Sequence, residues 1–165
     1  MPENNTSPYD FITSLRQDLL DFVNATMDAA VRSLELSNGE VISIDVPLAG
    51  HTGFFKGRKP IAVVFPDGIE VETSTWKFVV QAILQNCIQN PERYDYLLSL
   101  RGKIAGKNRV IVSAVPDSMD SPLLIAESLY MESKFDTETL LNVLLDRVLK
   151  PLGYDVSGIL IRVKI

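Results

Sequence analysis

Apolar residues at Phe11, Ile12, Leu15, Leu19, Phe22, Val23, Met27, Ala30, Val31 and Leu34 recur at helical spacing and paint one stripe. Arg16, Asp18, Asp21, Asn24, Asp28, Arg32 and Glu35 take much of the remaining surface. Ser7-Pro8 offers a capping hydroxyl followed by proline at the first helical position, and Ser37-Asn38-Gly39 offers a stop. The pattern predicts a helix from residue 8 to about 35, longer than the average helix. Its stripe must be buried on its own domain or on another copy of the chain. Phe11, Leu15, Leu19, Phe22, Met27 and Val31 are the expected interface residues.

The period then changes to two. In EVISIDVPL, residues 40–48, Ile42, Ile44, Val46 and Leu48 share one face, which predicts a strand. AGHTGFFKGRK, residues 49–59, is a glycine-containing connector and the expected boundary between an N-terminal helix-and-strand segment, 1–50, and an α+β domain, 51–165. IAVVF, Pro66-Asp67-Gly68 and IEVET read as a hairpin. Ser74 or Thr75 caps a helix from about Trp76 to Gln89, and Asn90-Pro91 starts a shorter one. RVIVSAV, 109–115, reads as a strand, PDSMDSP as a loop, and LLIAESLYMESKF, 123–135, as extended. Asp136 caps a last helix with Leu140, Leu141, Leu144, Leu145, Val148 and Leu149 as its apolar stripe. Gly153 stops it, and ILIRVKI, 159–165, is a terminal strand. Strands and helices mix without a βαβ rhythm, which predicts an α+β fold: a long amphipathic helix, then a mixed, mainly antiparallel sheet packed with about three helices.

Composition narrows the class. With 46% hydrophobic and 22% charged residues, the chain can build a core and is not of disordered type. No apolar run approaches the roughly 20 residues of a membrane span, and the N-terminus has no basic region of a secretory signal. The single cysteine, Cys87, allows no intramolecular disulfide, and a cytoplasmic location is expected. Charge is uneven: residues 1–50 carry −6, residues 51–110 carry +4 and residues 111–165 carry −3. The basic third holds two glycine-spaced clusters, Lys56, Arg58 and Lys59, and then Arg101, Lys103, Lys107 and Arg109. Glycine lets the backbone approach a ligand, and Lys and Arg heads with free N–H groups suit phosphate. Phe54 and Phe55 sit beside the first cluster, where they could stack on bases. The same residues also suit solvated turns, and no phosphate-loop spacing is present.

Chemistry-bearing residues are few. His51 is the sole histidine, so no His–Cys zinc cluster is expected, and no G-x-S-x-G elbow is present. Cys87 falls on an apolar helix face. Asp117, Asp120 and Asp136 are explained by turns and a cap, and Asp117, Asp120, Glu127, Glu132 and Asp136 have no recognised metal spacing. Trp76 is expected to anchor the hairpin to the following helix. A hydrolase with His51 as its acid or base is a third class, and no metal or cofactor is expected.

FKGRKPIAVVFPDGIEVETSTWKFVV, followed by SLYMESKFDTETLLNVLLDRVLKPLGYD, resembles a group of small uncharacterised bacterial proteins and C-terminal modules. The shared pattern is a basic glycine turn, a hairpin, a Thr-Trp helix start, a Tyr-x-Glu strand and a helix ending in Gly-Tyr-Asp. The resemblance spans residues 55–165. It implies an association with mobile-element and restriction-type loci and a nucleic-acid-related or regulatory role, and it carries over no catalytic residue. The expected function is therefore a non-enzymatic binding or regulatory module that contacts nucleic acid, or a partner that processes it, through its basic surface. The alternative is a homo-oligomeric scaffold or protein-interaction module assembled through the N-terminal helix.

Overall fold

The computed structural model describes residues 7–36, 42–104 and 109–165. The fold is α+β. Helix α1, Pro8–Leu36, begins with the Asp10 N–H donating to Ser7 Oγ at 3.2 Å. The expected stop at Ser37-Asn38-Gly39 lies outside the described residues. Strand β1, Ser43–Pro47, follows, and Ile44, Val46 and Leu48 point into the core as the alternation predicts. Ile42, expected on that face, is instead 45% exposed, since it lies before the strand begins.

Strands β2, Pro60–Val64, and β3, Glu70–Glu72, form the predicted hairpin. Gly68 closes it with φ 85°, and Asp67 Oδ1 accepts the Ile69 N–H at 3.0 Å. Helices α2, Trp76–Cys87, and α3, Pro91–Ser99, are capped by Thr75 and Asn90, whose side chains accept from the N–H groups of Phe78 and Arg93. Beyond them come β4, Val112–Ser113, β5, Pro122–Ala126, and β6, Leu129–Glu132. Helix α4, Thr137–Asn142, is capped by Asp136 and continues in wider π-type turns through Leu149. Gly153 turns the chain with φ 62°, and β7, Leu160–Lys164, ends it.

Two sheets replace the single one expected. The first has the order β1-β7-β2-β3 and the second β4-β6-β5, and every pairing is antiparallel. The stretch 123–135 is not one extended segment but the β5–β6 hairpin, which reverses at Glu127-Ser128, with Ser128 at φ 54°. Strand 109–115 shortens to Val112–Ser113. Helix α2 packs on β2 of one sheet and β5 of the other, so the main core lies around it, with Val79, Val80, Ile83, Leu84 and Cys87 buried.

The division expected after residue 50 runs between strands of one sheet, because β1 pairs along its whole length with β7. The connector also contributes to the core. Its 3₁₀ turn, Thr52–Phe55, buries Phe55 completely against Trp76, with ring centroids 5.2 Å apart, and Thr52 Oγ1 donates to Asn142 Oδ1 at 2.7 Å.

Arg162 clamps the outer face of the first sheet. It makes two hydrogen bonds to Asp45 of β1, at 2.8 and 3.0 Å, and two to Glu70 of β3, at 2.8 and 3.0 Å. These paired bonds suit a guanidinium between two carboxylates. They hold the Glu70 carboxyl below its usual range and push the Arg162 guanidinium further up.

Candidate functional site

The first basic cluster follows the 3₁₀ turn of the connector. Arg58 folds back on Phe54: its Nη1 donates to the Phe54 carbonyl and its guanidinium carbon lies 4.1 Å from the ring centroid. Trp76 Nε1 donates to the Arg58 carbonyl at 2.9 Å, which pins the turn to the start of α2. The Lys164 N–H donates to the Lys59 carbonyl at 3.0 Å. As a result Lys56, Arg58, Lys59 and Lys164 border one open depression. Lys164 was not among the expected site residues. Its alternation in the last strand marks it as exposed, but only the pairing of β7 with β2 brings it beside Lys59. Base stacking by Phe55 is ruled out by its complete burial, and Phe54 is half-buried beneath Arg58.

The second cluster is largely occupied within the molecule. Arg101 Nε donates to the Leu98 carbonyl at 2.9 Å and its Nη1 to the Ser128 carbonyl at 2.8 Å. It thus caps the end of α3 and ties it to the β5–β6 turn. Arg109 Nη1 lies 3.1 Å from Asp120 Oδ2 and 3.9 Å from Glu132 Oε2. Lys103 is exposed, and Lys107 lies outside the described residues. Between the clusters stands the first turn of α2, where Lys77 Nζ donates to Ser121 Oγ at 2.5 Å. The carboxylates of Asp120 and Glu132 stand there too. Lys56, Lys59 and Lys164 therefore border the depression beside an Arg58 that is folded back on Phe54, whereas Arg101 and Arg109 already serve the fold.

Glu132 organises this region. Its side chain is fully buried, yet it accepts four backbone N–H groups: Asp120 at 2.7 Å, Lys134 at 2.8 Å, Ser133 at 2.9 Å and Ser121 at 3.0 Å. Burial pushes the carboxyl up, but the N–H groups of Lys134, Asp120, Ser121 and Ser133 together more than offset it and leave the group below its usual range. The carboxylate fastens the 116–122 loop to the end of β6 and explains why an acid follows buried Met131. Its four backbone partners make it an anchor of this loop, and no group of three metal-ligating side chains exists among the described residues.

His51 is exposed at the start of the 3₁₀ turn, with no cap bond from its side chain. Cys87 is fully buried, and burial pushes its thiol up to about 11, away from the thiolate a nucleophile needs.

The expected interface residues lie on α1. Phe11, Leu15, Leu19, Met27 and Val31 are each at least 47% exposed. Phe22 is half-buried on its own body: a Cβ added at Gly50 would lie 2.6 Å from its ring, so a larger residue there would make the ring shift. Ile12, Leu20 and Val23 are exposed as well.

Because its four N–H partners hold the folded Glu132 carboxyl below its ordinary value, its contribution is fully present above the ordinary carboxylate range and is lost as the pH falls through the lowered folded value. Glu132→Gln is expected to lower stability by about 2–3 kcal/mol at pH 7, with the gap to wild type closing in acid. Urea melts at pH 7 and pH 3 check it, and equal stability at pH 7 contradicts the anchor. Comparison with protein-family models, with curated proteins and with solved structures finds no match to this chain.

Proposed function

We propose that the chain is a binding module that assembles with a second copy of itself through α1. The observation that carries this is how the helix meets its body. Ile12, Leu15, Leu19, Phe22, Thr26 and Ala29 follow the alternating four–three spacing of a helix-packing seam. The body half-buries the last three, whereas Ile12, Leu15 and Leu19 continue the same seam with no cover. A second uncovered row, Leu20, Val23, Met27 and Val31, runs beside it.

At 1.5 Å per residue the 29-residue helix is about 43 Å long. An unsupported helical segment of a few turns is marginal in water, and so large a run of exposed apolar side chains marks an interaction surface. The seam suits a helix of the same spacing, and a second copy supplies one. An antiparallel pair about a twofold axis lays each overhang on the other and keeps the acidic residues Asp10, Asp18, Asp21 and Asp28 on the polar side of each helix. The α+β bodies then stand as two platforms at the ends of the pair.

A second reading, for nucleic acid, is favoured by the convergence of Lys56, Arg58, Lys59 and Lys164 on one depression. It accords with the role that the sequence resemblance implies. A dimer doubles this charge, so the two readings are compatible.

For assembly, light scattering on the full chain at micromolar concentration is expected to give a dimer. Leu15→Asp with Leu19→Asp should give a monomer whose body melts as in wild type, because both residues are exposed. A wild-type monomer up to 100 μM, roughly the upper range for a functional dimer of modest affinity, contradicts the proposal. For nucleic acid, DNA and RNA binding should weaken steeply with salt. The Lys56→Ala, Lys59→Ala, Lys164→Ala triple variant should abolish it, and Lys103→Ala should leave it near wild type. Salt-insensitive binding, or none, removes that reading.

A further inference from the structure

Strand β3 is the outer strand of the first sheet, and no other described strand pairs with its outer edge. The Thr73 N–H donates to the Ile61 carbonyl at 2.8 Å and the Phe65 N–H to the Ile69 carbonyl at 2.9 Å. In an antiparallel ladder these bonds fix the alternation. Ile69, Val71 and Thr73 exchange with β2, whereas Glu70 and Glu72 turn their N–H and C=O groups outward.

Beside this edge an open pocket is lined by Ile61, Glu72, Thr73, Ser74 and Phe78. Thr73 is only 8% exposed, and its Oγ1 has no hydrogen-bond partner, an uncommon state for a buried hydroxyl. Phe78, on the first turn of α2, is 48% exposed at the same pocket. A bare ladder edge, an unpaired buried hydroxyl and a bare aromatic ring thus meet in one place.

We infer that an extended, lysine- or arginine-bearing segment of a partner polypeptide adds beside β3 as a fifth strand. Its backbone pairs with Glu70 and Glu72. One side chain enters the pocket against Phe78 and gives Thr73 Oγ1 the partner it lacks. Strand addition is a standard mode of peptide recognition, with main-chain bonds for affinity and a pocket for alternate side chains. Charge selects the occupant. Glu70 is already held by Arg162, but Glu72 forms no ion pair among the described residues. A second copy is disfavoured: in any antiparallel β3–β3 register that pairs the outward residues, a glutamate faces a glutamate, and opposed like charges destabilise. A basic residue opposite Glu72 reverses that sign. This surface is separate from α1 and does not depend on how α1 is used.

The test uses the full chain and a dye-labelled nine-residue peptide of alternating lysine and valine, with blocked ends. One control replaces lysine by glutamate, and another keeps the sequence but N-methylates alternate amides. Fluorescence anisotropy and the backbone amide signals of the ¹⁵N-labelled protein are the readouts. The lysine peptide is expected to shift the Glu70 and Glu72 amides. Glu72→Lys should weaken it about fivefold, the scale of one cross-strand charge pair, and Phe78→Ala should weaken it too. Thr73→Val should raise the melting temperature of the free protein while weakening the peptide. The N-methylated peptide should not bind. No binding, equal binding of the N-methylated peptide, or shifts confined to the acidic face of α1 overturn the proposal. Glu70 and Glu72 signals that move with protein concentration alone assign the edge to a second copy and overturn it as well.

Discussion

The last strand holds the first part of the chain to the rest. β7 lies between β1 and β2, pairing five residues with β1 and reaching from Pro60 to Val64 on the other side. Without it, β1 has no strand neighbour among the described residues, and α1, which packs on β1, has no floor. Arg162 of the same strand adds a polar clamp across all four strands of the sheet, from Asp45 over Ala62 to Glu70. The arrangement makes long-range pairing decisive, and such pairings form only after the intervening chain has been ordered.

On that floor the helix is supported unevenly. Phe22 settles over Gly50, and Thr26, Ala29 and Ala30 are half-buried, so the second half of α1 has a defined seat. The first half extends the same apolar seam past the body. A helix that was merely a surface element would have ended where the body ends, or turned polar there. The continuation of the seam gives the assembly reading its physical basis. The free edge of β3, by contrast, is defended by glutamates against its own kind, as edge strands commonly are. The two surfaces therefore differ in character: one is the surface proposed for a second copy, and the other carries glutamates that disfavour one.

Local signals in the sequence anticipated most elements. Asn90 and Asp136 cap the helices they were expected to cap, Thr75 is the cap of the two offered at Ser74-Thr75, and the period-two runs 40–48 and 159–165 contain β1 and β7. These features depend on residues within one turn or one strand of each other. The β5–β6 reversal was hidden because Glu127-Ser128 lacks glycine, asparagine or proline, although Ser128 adopts a positive φ. Division into two sheets was hidden because sheet order is set by partners far apart in sequence. Arg162 and Asp45, 117 positions apart, show the distance involved. The site was less legible than the fold. Counting charges revealed a basic third but not that Arg109 faces Asp120, that Arg101 caps α3, or that Lys164 joins Lys59. A buried acceptor such as Glu132 leaves no periodic trace beyond a lone acid next to apolar residues.

Hydrogen exchange along α1, followed by mass spectrometry at low and high protein concentration, tests the central claim most directly. If a second copy covers the overhang, amides of residues 8–20 gain protection as concentration rises, while those of 21–32, already seated on the body, change little. Rapid exchange in 8–20 at every concentration would contradict the account, because the seam would then end in solvent.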